Sequence, residues 1–224
     1  MIAYSEKDAQ GGLILTLRSV VSQNNGSEVA LGILIECGEK REERRLILSV
    51  DQYLKEKPQK GEMSEELFER LESAAELWRA VRAGENLLAF GANTVQMLMQ
   101  KLIRRGFSRP IAVEASEILQ AMGLINEQRD LERELEKCLR KRWGAKKISA
   151  QMWARGFGTD AMRELPALLE QIDFVPLCAE LIRKHYGEVP ADADEQRRMI
   201  AWLGRYGYSL QEIRAAMRLV KDEN

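Results

Sequence analysis

The sequence predicts a mainly α-helical protein, built from tandem three-helix repeats in an elongated array, with a small antiparallel β-sheet at its N-terminal end. Three observations support this prediction. A helix-ending pattern occurs three times, branched residues concentrate in the first 60 residues, and the later apolar segments have helical periodicity. Helical units that are too small to bury their own apolar faces stack on their neighbours, and this predicts the elongated array.

The repeated pattern joins two apolar residues, a glycine and an aromatic residue. The chain reads LMQKLIRRGF over 98–107, ISAQMWARGF over 148–157 and MIAWLGRYGY over 199–208. In each copy the apolar residues lie eight and four positions before the glycine, on one face of a helix. The glycine follows the last helical turn, where a left-handed backbone is needed, and the aromatic residue folds back onto the helix end. The apolar pairs and their glycines are Leu98/Leu102 with Gly106, Ile148/Met152 with Gly156, and Met199/Leu203 with Gly207.

Three short strands are predicted near the N-terminus, over Leu13–Val21, Val29–Glu36 and Leu46–Val50. These runs are rich in branched residues, and the turn-forming stretch SQNNGSE separates the first two. A loop from Glu56 to Glu62 follows them. Because a sheet of three short strands is marginal alone, we expect a helix to pack on it.

Helix starts are predicted from capping residues, because a side-chain oxygen can satisfy a free N–H of the first turn. The predicted N-caps are Ser64, Asn93 or Thr94, Ser108, Asn126, Thr159, Asp173, Asp192 and Ser209. The first helix should end near Arg82, the helix after Asn126 should end near Arg142 with Gly144 closing it, and Pro166 should end or kink a short helix. The predicted divisions are a sheet (1–60), a connecting helix (61–90), two three-helix repeats (91–143 and 144–190) and a truncated third repeat (191–224).

Composition excludes several classes of function. The chain has 224 residues and a net charge of −1, so it is not a generally basic nucleic-acid binder. No apolar run is long enough to span a bilayer and no secretory signal is visible, so we expect a cytoplasmic protein. The three cysteines are odd in number and far apart, which favours reduced thiols, and the single histidine, His185, is typical of a helix end. No catalytic, metal-binding or cofactor-binding motif is present, so we expect no enzyme and no cofactor.

The stretch KCLRKRWGAKK over 137–147 is the main functional signal. Six of its eleven residues are basic, and no acidic residue occurs from Lys137 to Thr159. Lys146 and Lys147 open a helix, where the helix dipole disfavours cations, so an anionic partner explains them better than helix stability does. A solvated charge run remains the alternative for each residue taken alone.

Other conspicuous side chains have structural explanations. Arginines before the repeat glycines lie in a last helical turn, where a cation contributes roughly 0.3–1 kcal/mol. Trp143, Trp153 and Trp202 each lie beside apolar helical positions, which favours packing within or between repeats over base stacking.

The repeats resemble the RecX family of bacterial recombination regulators from about Leu87 to Leu219. The specific stretches are KLIRRGF (101–107), GLINEQRDLERELEKCLRKRWGAKKI (123–148) and RYGYSLQEIRAAM (205–217). Gly123, Asn126 and Glu127 match the family pattern in the middle stretch, whereas Leu124, Asp130 and Leu131 depart from it. The resemblance is to a divergent member, and longer members also have a sheet before the repeats.

The resemblance implies a function that the residues alone do not give. RecX-like proteins bind in the groove of the RecA filament on single-stranded DNA and limit ATP hydrolysis, strand exchange and repressor cleavage. The chain would then act by occupancy, as a monomer, with the RecA filament as its partner and single- or double-stranded DNA as a further contact. The proposed contact residues, chosen by charge and placement, are Lys101, Arg104, Arg105, Arg133, Lys137, Arg140, Lys141, Arg142, Lys146, Lys147 and Arg155.

Two alternatives stay open from the sequence. Three-helix units with a tight glycine turn look like helix-turn-helix modules, whose second helix can enter the major groove of DNA. The second helices, over Ile111–Met122, Asp160–Leu165 and Leu210–Lys221, are not strongly basic, which counts against direct binding. The other alternative is a helical scaffold that binds only protein partners.

Overall fold

The fold is described for residues 12–222 of a computed structural model, and it is mainly α with an N-terminal antiparallel sheet, as predicted. The strands are β1 (Leu13–Gln23), β2 (Glu28–Cys37), β3 (Lys40–Ser49) and β4 (Gly61–Met63). The helices are α1 (Val50–Glu56), α2 (Glu65–Ala89), α3 (Val95–Arg104), α4 (Arg109–Ala121), α5 (Glu127–Arg140), α6 (Ala145–Ala154), α7 (Thr159–Glu170), α8 (Phe174–Tyr186), α9 (Ala193–Arg205) and α10 (Leu210–Asp222).

The four strands form one antiparallel sheet in the order β3-β2-β1-β4. The three predicted strands are confirmed, although β3 begins earlier than predicted, at Lys40. The fourth strand, β4, lies where a loop was predicted, and that prediction is wrong. Its three residues are too few to show an alternating pattern, and they pair with Leu15–Leu17 of β1.

Helix α2 covers the sheet, as predicted. Phe68 and Leu71 of the helix share a buried cluster with strand residues such as Leu31 and Leu48. At one end of this contact the buried carboxylate of Glu28 accepts a 2.9 Å hydrogen bond from Nε1 of Trp78. The sheet and α2 therefore share both an apolar core and a buried polar contact.

Two helix boundaries in this region differ from prediction. Ser49 begins α1, because its hydroxyl and the Gln52 side chain form a reciprocal capping box, so Val50 is helical and not part of a strand. Helix α2 continues past Arg82 to Ala89. The weakest helix former in that extension is Gly84, and it is buried within the helix, where packing offsets its cost of about 1 kcal/mol.

The three glycine-aromatic stretches end their helices in the same way. Gly106, Gly156 and Gly207 have φ values of 94°, 67° and 99°. In each, the aromatic N–H donates to a carbonyl five residues back and the glycine N–H to one three residues back, which is the Schellman arrangement. The six apolar residues of the pattern are fully buried, and Phe107, Phe157 and Tyr208 are buried beside them. The predicted helix-ending unit is thus confirmed in all three copies.

Most predicted N-caps are also confirmed. Side-chain oxygens of Thr94, Asn126, Asp173 and Asp192 accept hydrogen bonds from first-turn N–H groups. At α10 the capping box is complete, since Ser209 Oγ accepts from the Glu212 N–H and Glu212 Oε2 accepts from the Ser209 N–H.

Three helix-end predictions are wrong. The left-handed residue that closes α5 is Arg142, with φ 55°, whereas Gly144 has φ −80° and caps α6. Gly158, not Thr159, is the N-cap of α7. Pro166 does not end its helix, since it lies inside α7, which runs on to Glu170; a proline removes only one backbone hydrogen bond.

The chain divides into two compact units. The first unit contains Met1–Ala89 and Met99–Ala121, and the second contains Phe90–Leu98 and Met122–Asn224. Within the first unit, α2 packs against the sheet and against α4; within the second, α10 packs against α8. The second unit has its own extensive apolar core, centred on residues such as Leu131, Met152 and Ile182.

Candidate partner-binding site

The eleven predicted contact residues are divided between the two units. Lys101, Arg104 and Arg105 belong to the first unit. The other eight belong to the second unit and lie on α5, α6 and the turns that follow them. The second unit therefore holds the larger part of the predicted basic surface.

The three cations of the first unit lie at the end of α3. Lys101 and Arg104 are in its last turn, and Arg105 precedes the capping Gly106. Arg104 Nε donates a long 3.4 Å hydrogen bond to the Gln100 carbonyl. The end of a helix stabilises cations, so this placement has a structural reason. Arg104 and Arg105 are exposed, and they could also contact a partner.

Helix α5 presents a basic face and an apolar face. Leu131, Leu135 and Cys138 are buried, whereas Arg133 and Lys137 are exposed. Both exposed cations have intrahelical carboxylate neighbours. Arg133 lies 3.7 Å from Asp130, and Lys137 lies 3.4 Å from Glu134. Neither contact is short, so both cations can turn toward a partner at little cost.

Arg155 has a structural role that its position in the sequence did not reveal. Its guanidinium lies 2.8 Å from Oε1 of Glu134, a carboxylate that is itself buried. Its carbonyl accepts a 2.9 Å hydrogen bond from the Thr94 hydroxyl. The side chain is only 31% exposed. A partner that bound Arg155 would leave the buried Glu134 carboxylate with only its longer, 3.4 Å contact to Lys137, so Arg155 is a poor contact residue.

Arg142 is likewise engaged within the protein. Its Nε donates to Glu180 Oε2 at 2.5 Å, and its carbonyl accepts a 2.7 Å hydrogen bond from the Tyr208 hydroxyl. Its left-handed backbone closes α5. These contacts connect the end of α5 to α8 and to the third repeat glycine turn.

Lys147 lies in the first turn of α6, and two aromatic rings stabilise its ammonium group there. Its ammonium lies 4.4 Å from the Trp143 ring centroid and 4.7 Å from that of Tyr206. Lys141 lies over the same Trp143 ring at 4.8 Å. Contacts of this kind between a cation and an aromatic ring are worth about 0.5–1 kcal/mol at exposed sites. Lys147 is therefore explained by packing within the chain, without an anionic partner.

Arg140 and Lys146 are the predicted contact residues of the second unit with the fewest internal contacts. Both are exposed, and no carboxylate within residues 12–222 forms an ion pair with either side chain. Lys146 also lies in the first turn of α6, where the dipole disfavours it. Of the cations in the second unit that were predicted to bind a partner, these two have the most freedom to do so.

Two tryptophans pack as predicted and one does not. Trp143 and Trp202 are half-buried against the core of the second unit, and Trp202 contacts His185 edge-on at 4.6 Å. Trp153 is 65% exposed, so the prediction that it packs is wrong. The neighbouring Met152 is the residue of this turn that is buried, so Trp153 lies on the outer side of α6.

Tyr208 gives the second unit a measurable pH dependence. Burial raises the pKa of its phenol well above the ordinary value, and nearby Cys178 and Glu212 add to this. Above about pH 10 the unfolded chain loses a phenolic proton that the folded chain keeps, so stability falls as pH rises from there. Tyr208→Phe should cost about 0.5–1.5 kcal/mol at pH 7, because the Arg142 carbonyl loses its donor.

The test is urea unfolding of both proteins at pH 7, 9 and 11. We expect a shallower alkaline loss of stability for the phenylalanine variant. Burial also raises the pKa of the Cys178 thiol, to about 12, but that thiol is present in both proteins and cancels in the difference. Parallel stability curves would refute the assignment to Tyr208.

Within residues 12–222, no group of three His, Cys, Asp or Glu side chains is placed to hold a metal ion. In that same part of the chain, every helix is too short or too polar to cross a membrane.

Comparison with known proteins identifies relatives of this chain. No protein-family model matches the chain. The regulatory protein RecX of Pelodictyon phaeoclathratiforme is 28% identical over 137 residues, which cover 60% of this chain and 84% of the relative. The regulatory protein RecX of Halorhodospira halophila is 29% identical over 147 residues, which cover 65% and 91%.

Solved structures show the same fold. A crystal structure of a regulatory protein RecX matches 93% of this chain and 99% of its own, with a TM-score of 0.70 and 13% identity. The crystal structure of RecX from Lactobacillus salivarius matches 66% of this chain and 98% of its own, with a TM-score of 0.56 and 19% identity. This chain is thus similar in sequence to two regulatory proteins RecX and shares its fold with the solved RecX structures.

Proposed function

We propose that this protein binds the RecA filament on single-stranded DNA, lies in its groove, and limits ATP hydrolysis, strand exchange and repressor cleavage. Likeness to the regulatory proteins RecX supports the choice of partner. The observation that carries the mode of binding is the pair of exposed cations without ion pairs, Arg140 and Lys146, beside the basic face of α5. The proposed action is occupancy of the groove by a cytoplasmic monomer, without catalysis.

The structure separates the eleven proposed contact residues by how freely each can meet a partner. Arg142, Lys147 and Arg155 have partners inside the second unit, and their substitution would disturb packing as well as binding. Arg140 and Lys146 can be changed with little effect on stability, since exposed substitutions away from caps and cores are usually within about 0.5 kcal/mol. Substitution of Arg140 and Lys146 therefore tests binding without disturbing the packing of the second unit.

The first experiment measures the single-stranded-DNA-dependent ATPase of RecA, titrated with this protein at two salt concentrations. We expect inhibition at amounts below one protein per RecA, because a molecule in the groove would block further growth of the filament. Inhibition should weaken at high salt, since screening reduces the attraction of the basic surface. If the ATPase is unaffected while the chain binds DNA with a steep salt dependence, the protein is a direct DNA binder and the proposal fails.

The second experiment reverses the two free charges. Arg140→Glu with Lys146→Glu should weaken inhibition by about tenfold or more, because two attractive contacts become repulsive. The control is Lys184→Glu with Arg198→Glu, two exposed cations of the second unit outside the proposed surface. The control changes net charge equally, so equal loss in both variants would show a general charge effect and refute the proposed surface.

A further inference from the structure

The outer side of α10 presents apolar and basic side chains in one continuous stripe. Leu210 is 48% exposed, and Arg214, Arg218 and Lys221 are exposed. Met217 lies between the cations and is half-buried. Positions separated by three, four or seven residues share one side of a helix, so these five side chains lie together. The opposite side of the helix packs inward through Ile213, Ala216 and Val220.

The three cations of this stripe have no acidic partner within the described part of the chain. No carboxylate there forms an ion pair with Arg214, Arg218 or Lys221. Glu212, on the same helix, is occupied with the Ser209 N–H. None of the residues of the stripe is among the eleven contact residues proposed above. The stripe therefore has three charges that no internal ion pair uses and an exposed leucine beside them.

We propose that the outer side of α10 binds an acidic amphipathic segment of a protein partner. Charge complementarity requires an anionic occupant. The exposed Leu210, with Met217 among the cations, favours a peptide over a nucleic-acid backbone, because carboxylates would meet the three cations while apolar side chains cover the leucine. A phosphate backbone would satisfy the charges and leave Leu210 without a partner. This binding does not depend on the proposed action on RecA.

The size of the stripe sets the length of the occupant. Leu210 and Lys221 are eleven residues apart, which corresponds to about 16 Å along the helix axis. A partner helix of roughly three turns would cover it, with apolar residues at the spacing of one helical face and glutamates beside them. An isolated peptide of this length is marginally helical, so part of its binding energy orders it.

The test uses a fluorescein-labelled peptide of about three turns with leucines on one face and glutamates elsewhere, followed by fluorescence anisotropy with the full chain. Two competitors are a peptide with glutamine for every glutamate and a duplex oligonucleotide. We expect the acidic peptide to bind, the glutamine peptide to compete at least tenfold more weakly, and high salt to weaken binding.

Variants locate the binding. Arg214→Gln with Arg218→Gln should weaken peptide binding by roughly tenfold, and Leu210→Gln should weaken it severalfold through the apolar contact. Lys184→Gln with Arg198→Gln removes the same charge elsewhere in the second unit and should leave binding unchanged. Far-UV circular dichroism and thermal unfolding check that each variant folds.

Three outcomes of these experiments would overturn the proposal. One is the absence of peptide binding at millimolar concentration. Another is equal binding by the Arg214→Gln, Arg218→Gln variant. A third is binding of the duplex, dependent on the same two arginines, in preference to the acidic peptide, which would show that α10 is a nucleic-acid surface.

Discussion

Gly207→Ala is expected to lower the free energy of unfolding of the second unit by about 3–5 kcal/mol. The residue has φ 99°, and a Cβ there would lie 2.5 Å from the backbone nitrogen of Lys147 and 2.6 Å from its Cβ. Two costs combine. The left-handed conformation strains any side chain, and the start of α6 would have to move away from the turn between α9 and α10.

Two further substitutions separate these costs. Gly106 has nearly the same φ, 94°, but nothing lies within 4 Å of its Cβ position, so Gly106→Ala should show only the conformational cost of about 1–2 kcal/mol. Gly144 has an ordinary φ, but its Cβ would lie 2.5 Å from the Gly207 carbonyl, so Gly144→Ala should show only the overlap. Gly207→Ala should exceed either.

Urea unfolding of the three variants, followed by tryptophan fluorescence and circular dichroism, makes the comparison. Trp143, Trp153 and Trp202 lie in the second unit with Gly144 and Gly207, so fluorescence reports mainly on those two variants. Gly106 lies in the first unit with Trp78, so circular dichroism, which reports on the helices of both units, measures the cost of Gly106→Ala. If Gly207→Ala costs no more than Gly106→Ala, the close approach of the two turns contributes nothing to stability.

Glu127→Ala is expected to cost about 2–4 kcal/mol. One carboxylate oxygen of Glu127 accepts a 2.8 Å hydrogen bond from the Val95 N–H, and the other accepts a 2.6 Å bond from the Gly158 N–H. The residue also occupies the first turn of α5. A single negative charge therefore meets the N-terminal ends of three helices, where the dipoles favour it.

Two matched variants test this assignment by chemical denaturation. Glu127→Gln keeps the shape but loses the charge, and one of the two N–H groups would face an amide group instead of an oxygen, so it should recover only part of the lost stability. Glu136→Ala, at an exposed position of the same helix, should change stability by less than about 0.5 kcal/mol. If Glu127→Ala is as mild as Glu136→Ala, the three-helix contact is not a source of stability.

Local chemistry explains which structural predictions succeeded. The Schellman turns, the cap at Asn126 and the box at Ser209 depend on residues within five positions of one another, so the sequence alone predicts them. Helix α1 has a similar local signal in Ser49 and Gln52, directly beside the apolar run that predicts a strand up to Val50. Strand β4 had none, because its pairing depends on β1, more than forty residues earlier in the chain.

The prediction of the binding surface was less accurate, because the contacts that occupy its residues come from distant parts of the chain. Arg142 and Tyr208 are 66 residues apart in the chain, and Thr94 and Arg155 are 61 apart, so no local pattern could show these backbone contacts. The side chains of the two arginines are likewise occupied by distant carboxylates, Glu180 for Arg142 and Glu134 for Arg155. Lys147 meets Tyr206 only because Gly144 and Gly207 allow their turns to touch. The stripe on α10 was visible in the spacing of Arg214, Arg218 and Lys221, but a count of charges over the whole helix concealed it.

The two edges of the sheet differ in what they offer to a strand from another molecule. The β4 edge is only three residues long, too short to extend a ladder. The β3 edge is ten residues long, and its first six residues, KREERR, are all charged. A strand that approached this edge would have to remove water from these charges to reach the backbone. The same residues that give β3 its low apolar content thus keep its hydrogen-bonding edge from serving as a template for aggregation.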